Sequence, residues 1–159
     1  MANGIGVIDA DYYGNDNNDG HFYFQYFNFS DNDLVIKKGD VIAYKGGLGA
    51  GKTTFTRGLA MGAGLEDEVY SPTFALINEY AGDVNIYHFD MYRIENTDDL
   101  ETTGFFDYPM EDSIFVIEWS ENIIDALPEN TIFIQINRID DETREIIIEG
   151  DERFADIRN

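Results

Sequence analysis

Cysteine is absent, proline occurs three times and basic residues only ten times among 159. The first absence excludes disulfides and thiolate-held metal. No apolar run approaches the roughly 18 residues that a membrane-spanning helix needs. The first residues, MANGIGVIDADYY, lack a basic stretch followed by an apolar one, so they do not read as a secretory signal. Together these shortages predict a cytoplasmic protein. The scarcity of Lys and Arg against 32 acidic residues leaves a formal net charge of −22. Nucleic-acid affinity comes largely from Lys and Arg displacing counterions, so direct tRNA or DNA binding is not expected. The acidity reads first as a strongly solvated surface and second as an attraction for a basic partner.

What is present is a globular composition: 43 % hydrophobic residues, with 12 Phe and 10 Tyr. The length suits one compact domain with one core. Residues 1–38 differ in texture from the rest. GNDNNDG at 14–20 reads as a turn, and HFYFQYFNF at 21–29 as a strand. We expect this β-rich segment not to form an independent domain, and residues 39–159 to form the principal one. KKGD at 37–40 leads into a buried-strand pattern, Val41-Ile42-Ala43-Tyr44. A helix is predicted from Lys52 to Ala63, ended by Gly62 and Gly64. Strands are predicted over Phe74–Tyr80, Asn85–Arg93 and Ile114–Ile117. A short helix is predicted within 96–106 with Thr97 as N-cap. A second is predicted over Asn122–Leu127, followed by a hairpin of Thr131–Ile139 and Arg144–Glu149.

Residues 46–53, GGLGAGKT, satisfy G-x-x-x-x-G-K-[ST]. Phosphate oxygens must come close to backbone N–H groups, which is why glycine stands at such positions. The following helix offers unpaired N–H groups and its positive dipole end. The predicted nucleotide cradle is therefore Gly46, Gly47, Leu48, Gly49, Ala50, Gly51, Lys52, Thr53 and Thr54. Lys52 supplies a charge for the phosphates, and the Thr53 hydroxyl suits Mg²⁺. The bland alternative, a glycine-rich turn, does not account for an apolar strand before the motif and an amphipathic helix after it.

Such a site needs a carboxylate for the metal and its water. Glu118 closes the apolar run Ile114–Ile117, at the carboxyl edge where open α/β sheets bind ligands. Its bland alternative is a strand-end Glu facing solvent. Asp90 is a second candidate, against an edge-strand surface Asp. Thr73 in Ser71-Pro72-Thr73 is a candidate sensor of the γ-phosphate, against a turn threonine. His88 reads as a strand residue packing beside the site and His21 as an exposed one. Two histidines this far apart do not make a metal site. Arg57 reads as exposed or partner-facing, and Arg93 is the better candidate for an arginine finger.

Several segments, in order and at matching spacing, resemble the TsaE (YjeE) family of P-loop ATPases. They are GDVIAYKGGLGAGKTTFTRGLA (39–60), SPTFALINEY (71–80), YHFDMYRI (87–94), Leu100…Gly104…Asp107-Tyr108, and VIEWSE (116–121). The resemblance implies a P-loop NTPase-like three-layer α/β fold with a mixed central sheet, preceded here by the β-rich N-terminal segment. It implies slow ATP hydrolysis in threonylcarbamoyl modification of adenosine 37 of tRNA, with TsaB and TsaD as partners and ATP and Mg²⁺ as ligands. By motif, Lys52 binds phosphate, Thr53 and Glu118 bind Mg²⁺, Asp90 assists at the metal or water, and Trp119 lies beside the site or a partner surface. Two features depart from the family. Gly47 stands where the family usually has Asp, and the usual N-terminal segment leading into the P-loop strand is replaced. Residues 3–43 instead resemble part of a trimeric dUTPase, with Asp9 and Tyr12 at its catalytic and sugar-discriminating positions. The remaining dUTPase motifs are missing, so that activity is not expected and a fused or recombined chain is. The alternative reading is a nucleotide-binding interaction module with little or no ATPase activity. An unrelated P-loop phosphotransferase is disfavoured by the lack of an acceptor-binding or lid insertion.

Overall fold

The computed structural model describes residues 5–13, 21–23, 36–65 and 69–150. Within them the strands are β1 (Ile5–Tyr13), β2 (His21–Tyr23), β3 (Val41–Lys45), β4 (Ile77–Tyr80), β5 (Asn85–Asp90), β6 (Ser113–Glu118), β7 (Ile132–Arg138) and β8 (Thr143–Glu149). They form one sheet in the order β2-β1-β8-β7-β3-β6-β5-β4. The pairs β3–β6, β3–β7 and β5–β6 are parallel, and the rest are antiparallel. Helix α1 (Lys52–Gly62) covers one face, and α2 (Thr97–Thr102) packs with three 3₁₀ segments against the other. The result is a three-layer α/β fold with a mixed sheet. No described helix is long and apolar enough to cross a membrane.

The sequence patterns explain which strands are central. Val41–Tyr44 and Ile114–Ile117 are apolar at every position and buried throughout, as parallel strands covered on both faces must be. Strands β7 and β8 alternate instead: Ile132, Ile134, Ile136, Ile146 and Ile148 are buried, while their neighbours are exposed or half-buried. These isoleucines join Ile42, Tyr44, Phe55, Leu59 and Val116 beneath α1. On the opposite face Phe105 meets Phe89 and Phe115 edge-on and the latter two pack tilted, at 5.0–5.6 Å between centroids. Both layers hold β3, β5 and β6 in place, and the carboxyl ends of these strands carry the site.

Several boundaries differ from the sequence expectation. Strand β4 starts at Ile77 because the Pro72 carbonyl accepts from the amides of Ala75 and Leu76, which winds 72–76 into a turn with Leu76 at φ 70°. Strand β5 stops at Asp90, whose Oδ1 accepts from the Tyr92 amide at 2.9 Å and turns the chain. Asn96, not Thr97, caps α2: its side chain accepts from the Asp99 amide. The segment predicted as a short α-helix over 122–127 is 3₁₀ over Ser120–Ala126, broken at Ile123. The hairpin of β7 and β8 forms as expected. The turn at 14–20 and most of the strand predicted over 21–29 lie outside the described residues, while the backbone of Asp9 and Tyr12 runs in β1.

Candidate functional site

The loop from Gly46 to Gly51 leaves the carboxyl end of β3 and enters α1. Gly46 has φ 153°, and a Cβ there would stand 2.7 Å from the Ile136 carbonyl oxygen. A backbone neighbour cannot yield, so glycine is required. Gly51 takes the N-cap position of α1 in the left-handed conformation, with no side-chain cap. The first amides of α1 are therefore unshielded by any capping group and aim at the loop's concavity, with the positive end of the helix dipole behind them. Gly47 differs from both: its φ is unexceptional and a Cβ would meet nothing within 4 Å. An Asp at that position fits sterically, so the glycine there answers no backbone demand.

Lys52 is buried, and its Nζ donates to the carbonyls of Gly46 and Gly47 at 2.9 Å each. It also stands 5.1 Å from the centre of the Trp119 ring. The ammonium thus sits at the focus of the loop. Trp119, half-buried with φ 57°, stacks with Tyr92 at 5.0 Å. The tryptophan thus lies beside Lys52 and also packs on the second core layer.

Thr53, on the first turn of α1, donates through Oγ1 to Oε1 of Glu118 at 3.0 Å. Glu118 is the last residue of β6 and only 4 % exposed. Its parallel neighbour in register is Asp90, also buried. Asp90 Oδ2 accepts from the Thr73 hydroxyl at 2.7 Å, and Ser71 Oγ lies 2.7 Å from the same hydroxyl. The residues Lys52, Thr53, Thr73, Asp90 and Glu118 are therefore brought together by the start of α1, the ends of β5 and β6 and the turn before β4. Both Asp90 oxygens are engaged, by Thr73 and by Tyr92. Among the described residues, Glu118 Oε2 has no protein hydrogen bond.

The fit to Mg²⁺ follows from donor chemistry. A hydroxyl and a carboxylate 3.0 Å apart are hard oxygen donors. Mg²⁺ is ordinarily held by one or two such groups, with waters and substrate phosphates completing its shell. No group of three or more His, Cys, Asp or Glu among the described residues forms an all-protein cage.

Two contributors were missed in the sequence. Arg144 on β8 is buried and donates from Nε to the carbonyl of Ala50, inside the loop, at 3.1 Å. Its Nη1 donates to the carbonyls of Asp140 and Thr143 at 2.8 and 3.0 Å. The signal was available: Arg144 is in phase with Ile146 and Ile148 on the buried face of an alternating strand. The contact to Glu118 is the second: His88, read as a strand residue packing beside the site, is wholly buried in β5 with Nε2 2.9 Å from Glu118 Oε1. Arg57 is half-buried and tied to the Val69 carbonyl, and Arg93 is exposed. Tyr44 anchors the start of α1 from below: Thr56 Oγ1 donates to its hydroxyl, and burial pushes that hydroxyl's pKa up, with Glu118 adding to the shift.

The family model for threonylcarbamoyl adenosine biosynthesis protein TsaE matches residues 30–146. A Treponema pallidum protein named tRNA threonylcarbamoyladenosine biosynthesis protein TsaE is 38 % identical over 114 residues, 72 % of this chain and 84 % of that protein. The Haemophilus influenzae protein of the same name is 47 % identical over 110 residues, covering 68 % of this chain and 69 % of its own length. The crystal structure of Bacillus subtilis YdiB superposes with a TM-score of 0.56 at 36 % identity, over 72 % of this chain and 70 % of that one.

Proposed function

This chain belongs to the TsaE family of threonylcarbamoyl adenosine biosynthesis proteins, and on that footing we propose that it binds ATP with Mg²⁺ and hydrolyses it in support of tRNA modification. The observation that carries this reading is the convergence of the uncapped start of α1, the Lys52 ammonium and the Thr53–Glu118 contact at one point. The loop amides and Lys52 bind the polyphosphate tail. Lys52 exchanges its two carbonyl partners for phosphate oxygens. Thr53 and Glu118 hold Mg²⁺, which offsets the phosphate charge when bound. Asp90 secures Thr73 and assists at the metal or the attacking water, while Thr73 senses the γ-phosphate. Turnover is in-line attack of water on the γ-phosphorus, dominated by positioning and electrostatics.

TsaB- and TsaD-like proteins are the proposed partners, in the cytoplasm. A chain of net charge −22 has little affinity of its own for tRNA, which supports action through partners. Residues 1–38 are proposed not to be an independent domain, because β1 extends the P-loop sheet by pairing with β8.

Phosphate release is measured with and without the two partners, for the wild type and for Lys52→Ala. We expect release that rises with the partners and disappears in the variant. Nucleotide binding without turnover under every condition would instead favour the interaction module. A folded protein with no affinity for nucleoside triphosphate would overturn both.

A further inference from the structure

We propose that His88 is a positioning residue for Glu118, fixing which carboxylate oxygen is turned toward the nucleotide's metal; this rests on the metal role proposed for Glu118. Three observations carry it. The ring Nε2 lies 2.9 Å from Oε1, with His88 wholly buried and Glu118 nearly so. An ionised carboxylate only accepts, so Nε2 carries the hydrogen. The contact lies between two neighbouring parallel strands, with His88 opposite Val116 and Asp90 opposite Glu118.

The second observation is that Nδ1 is buried and has no hydrogen-bond partner. Leaving a buried polar atom unpaired is costly. On that face of β5 and β6 His88 has the apolar Ile86, Ile114 and Val116 to one side and the carboxylates Asp90 and Glu118 to the other, with Asn78 opposite it on β4. Asp90 bonds Thr73 and Tyr92, and Asn78 bonds Tyr70 and Tyr80, so neither takes up the ring. The imidazole's single hydrogen-bond partner among the described residues is Glu118, so that contact is what the residue supplies.

The third observation is convergence. Thr53 Oγ1 donates to the same Oε1 at 3.0 Å, while Oε2 has no hydrogen-bond partner among the described residues. The carboxylate is held through one oxygen and presents the other. Thr53 rides on the P-loop helix, and its hydroxyl has a second claim on it at the metal. His88 sits on β5, a strand paired on both sides, and among the described residues it bonds to nothing else, so it keeps Glu118 in place when the threonine hydroxyl is drawn away.

The test compares His88→Leu, His88→Asn and His88→Gln in the full chain with its partners. The glutamine amide nitrogen reaches the position of Nε2, whereas that of asparagine falls short. We expect His88→Leu and His88→Asn to lower kcat by about 10–100-fold, as loss of a supporting contact to a metal ligand does. His88→Gln should recover to within about threefold of wild type. Calorimetry with ADP gives a readout apart from turnover: the leucine variant should lose the Mg²⁺-dependent gain in affinity and keep the metal-free affinity. Wild-type values for His88→Leu, or a glutamine variant as impaired as a stably folded leucine variant, would overturn the assignment and leave the ATPase reading intact. If the leucine variant does not fold, equal activity of the Gln and Asn variants overturns it. A wild type that neither binds nor turns over nucleotide removes both.

Discussion

Replacing Arg144 by methionine separates the loop's support from its chemistry. The side chain is buried, and methionine retains most of its apolar stem while removing the guanidinium. Lost with it are the donations to the carbonyls of Ala50, Asp140 and Thr143. Asp140 is exposed and Thr143 half-buried, so water can replace the donor at those two carbonyls. Ala50 is only 4 % exposed, so its carbonyl loses a charge-assisted partner that solvent cannot readily restore. A hydrogen bond to a charged group is worth about 1.5–3 kcal/mol, and we expect a loss of about 2 kcal/mol. At about 2–4 °C per kcal/mol for a chain of this size, Tm should fall by about 4–8 °C in scanning calorimetry. The same scan with ATP and Mg²⁺ reports the loop itself. If releasing the Ala50 carbonyl misaims the adjoining amides and weakens Kd tenfold, the nucleotide-linked stabilisation shrinks by about 1.4 kcal/mol at saturating ligand. A variant with wild-type Tm and wild-type response to nucleotide would refute the claim that β8 braces the loop.

Gly46→Ala should be damaging, because its Cβ would lie 2.7 Å from a backbone oxygen at φ 153°; a strained position of this kind costs about 1–3 kcal/mol, and urea unfolding should register it together with weakened nucleotide binding. Gly47→Asp should leave the urea midpoint nearly unchanged, within about 0.5 kcal/mol, since its Cβ meets open space; phosphate release then reports directly on what the family's carboxylate contributes. Asp140→Ala should loosen the β7–β8 turn. The amides of Glu142 and Thr143 donate to Asp140 Oδ1 and, ahead of smaller effects, hold its pKa below the usual carboxylate value. A depressed folded-state pKa contributes stability above the unfolded pKa of about 3.9, and this is lost as pH falls through the folded value. The stability difference between wild type and variant should therefore narrow in acid unfolding below about pH 4, and a difference that widens there would contradict the turn's hydrogen bonding.

The parts of the site legible in the sequence were those whose chemistry is local. The P-loop glycines, Lys52 and Thr53 are read from one octapeptide, because strand, turn and helix start follow one another in the chain. Glu118 was legible because an unbroken apolar run ending in a charge marks the end of a buried strand. His88 and Arg144 were harder, because their partners lie 30 and 94 positions away. Only the sheet order, with β8 beside β7 and β7 beside β3, brings Arg144 to the loop that follows β3. Boundary errors had a common cause as well. At Asp90, Pro72 and Asn96 a single side chain or carbonyl captures nearby amides and ends or starts an element, a competition that hydrophobic periodicity does not register.

The Lys52 ammonium has a consequence for how any affinity is interpreted. Under the proposed phosphate role, its two bonds to Gly46 and Gly47 make nucleotide capture an exchange in which an internal ligand is surrendered for an external one. A measured binding constant is then the difference between two sets of contacts. Truncating the side chain abolishes a phosphate partner and also strips two carbonyls of their donor. Substrate saturation and loop rigidity will consequently change together in every variant at this position.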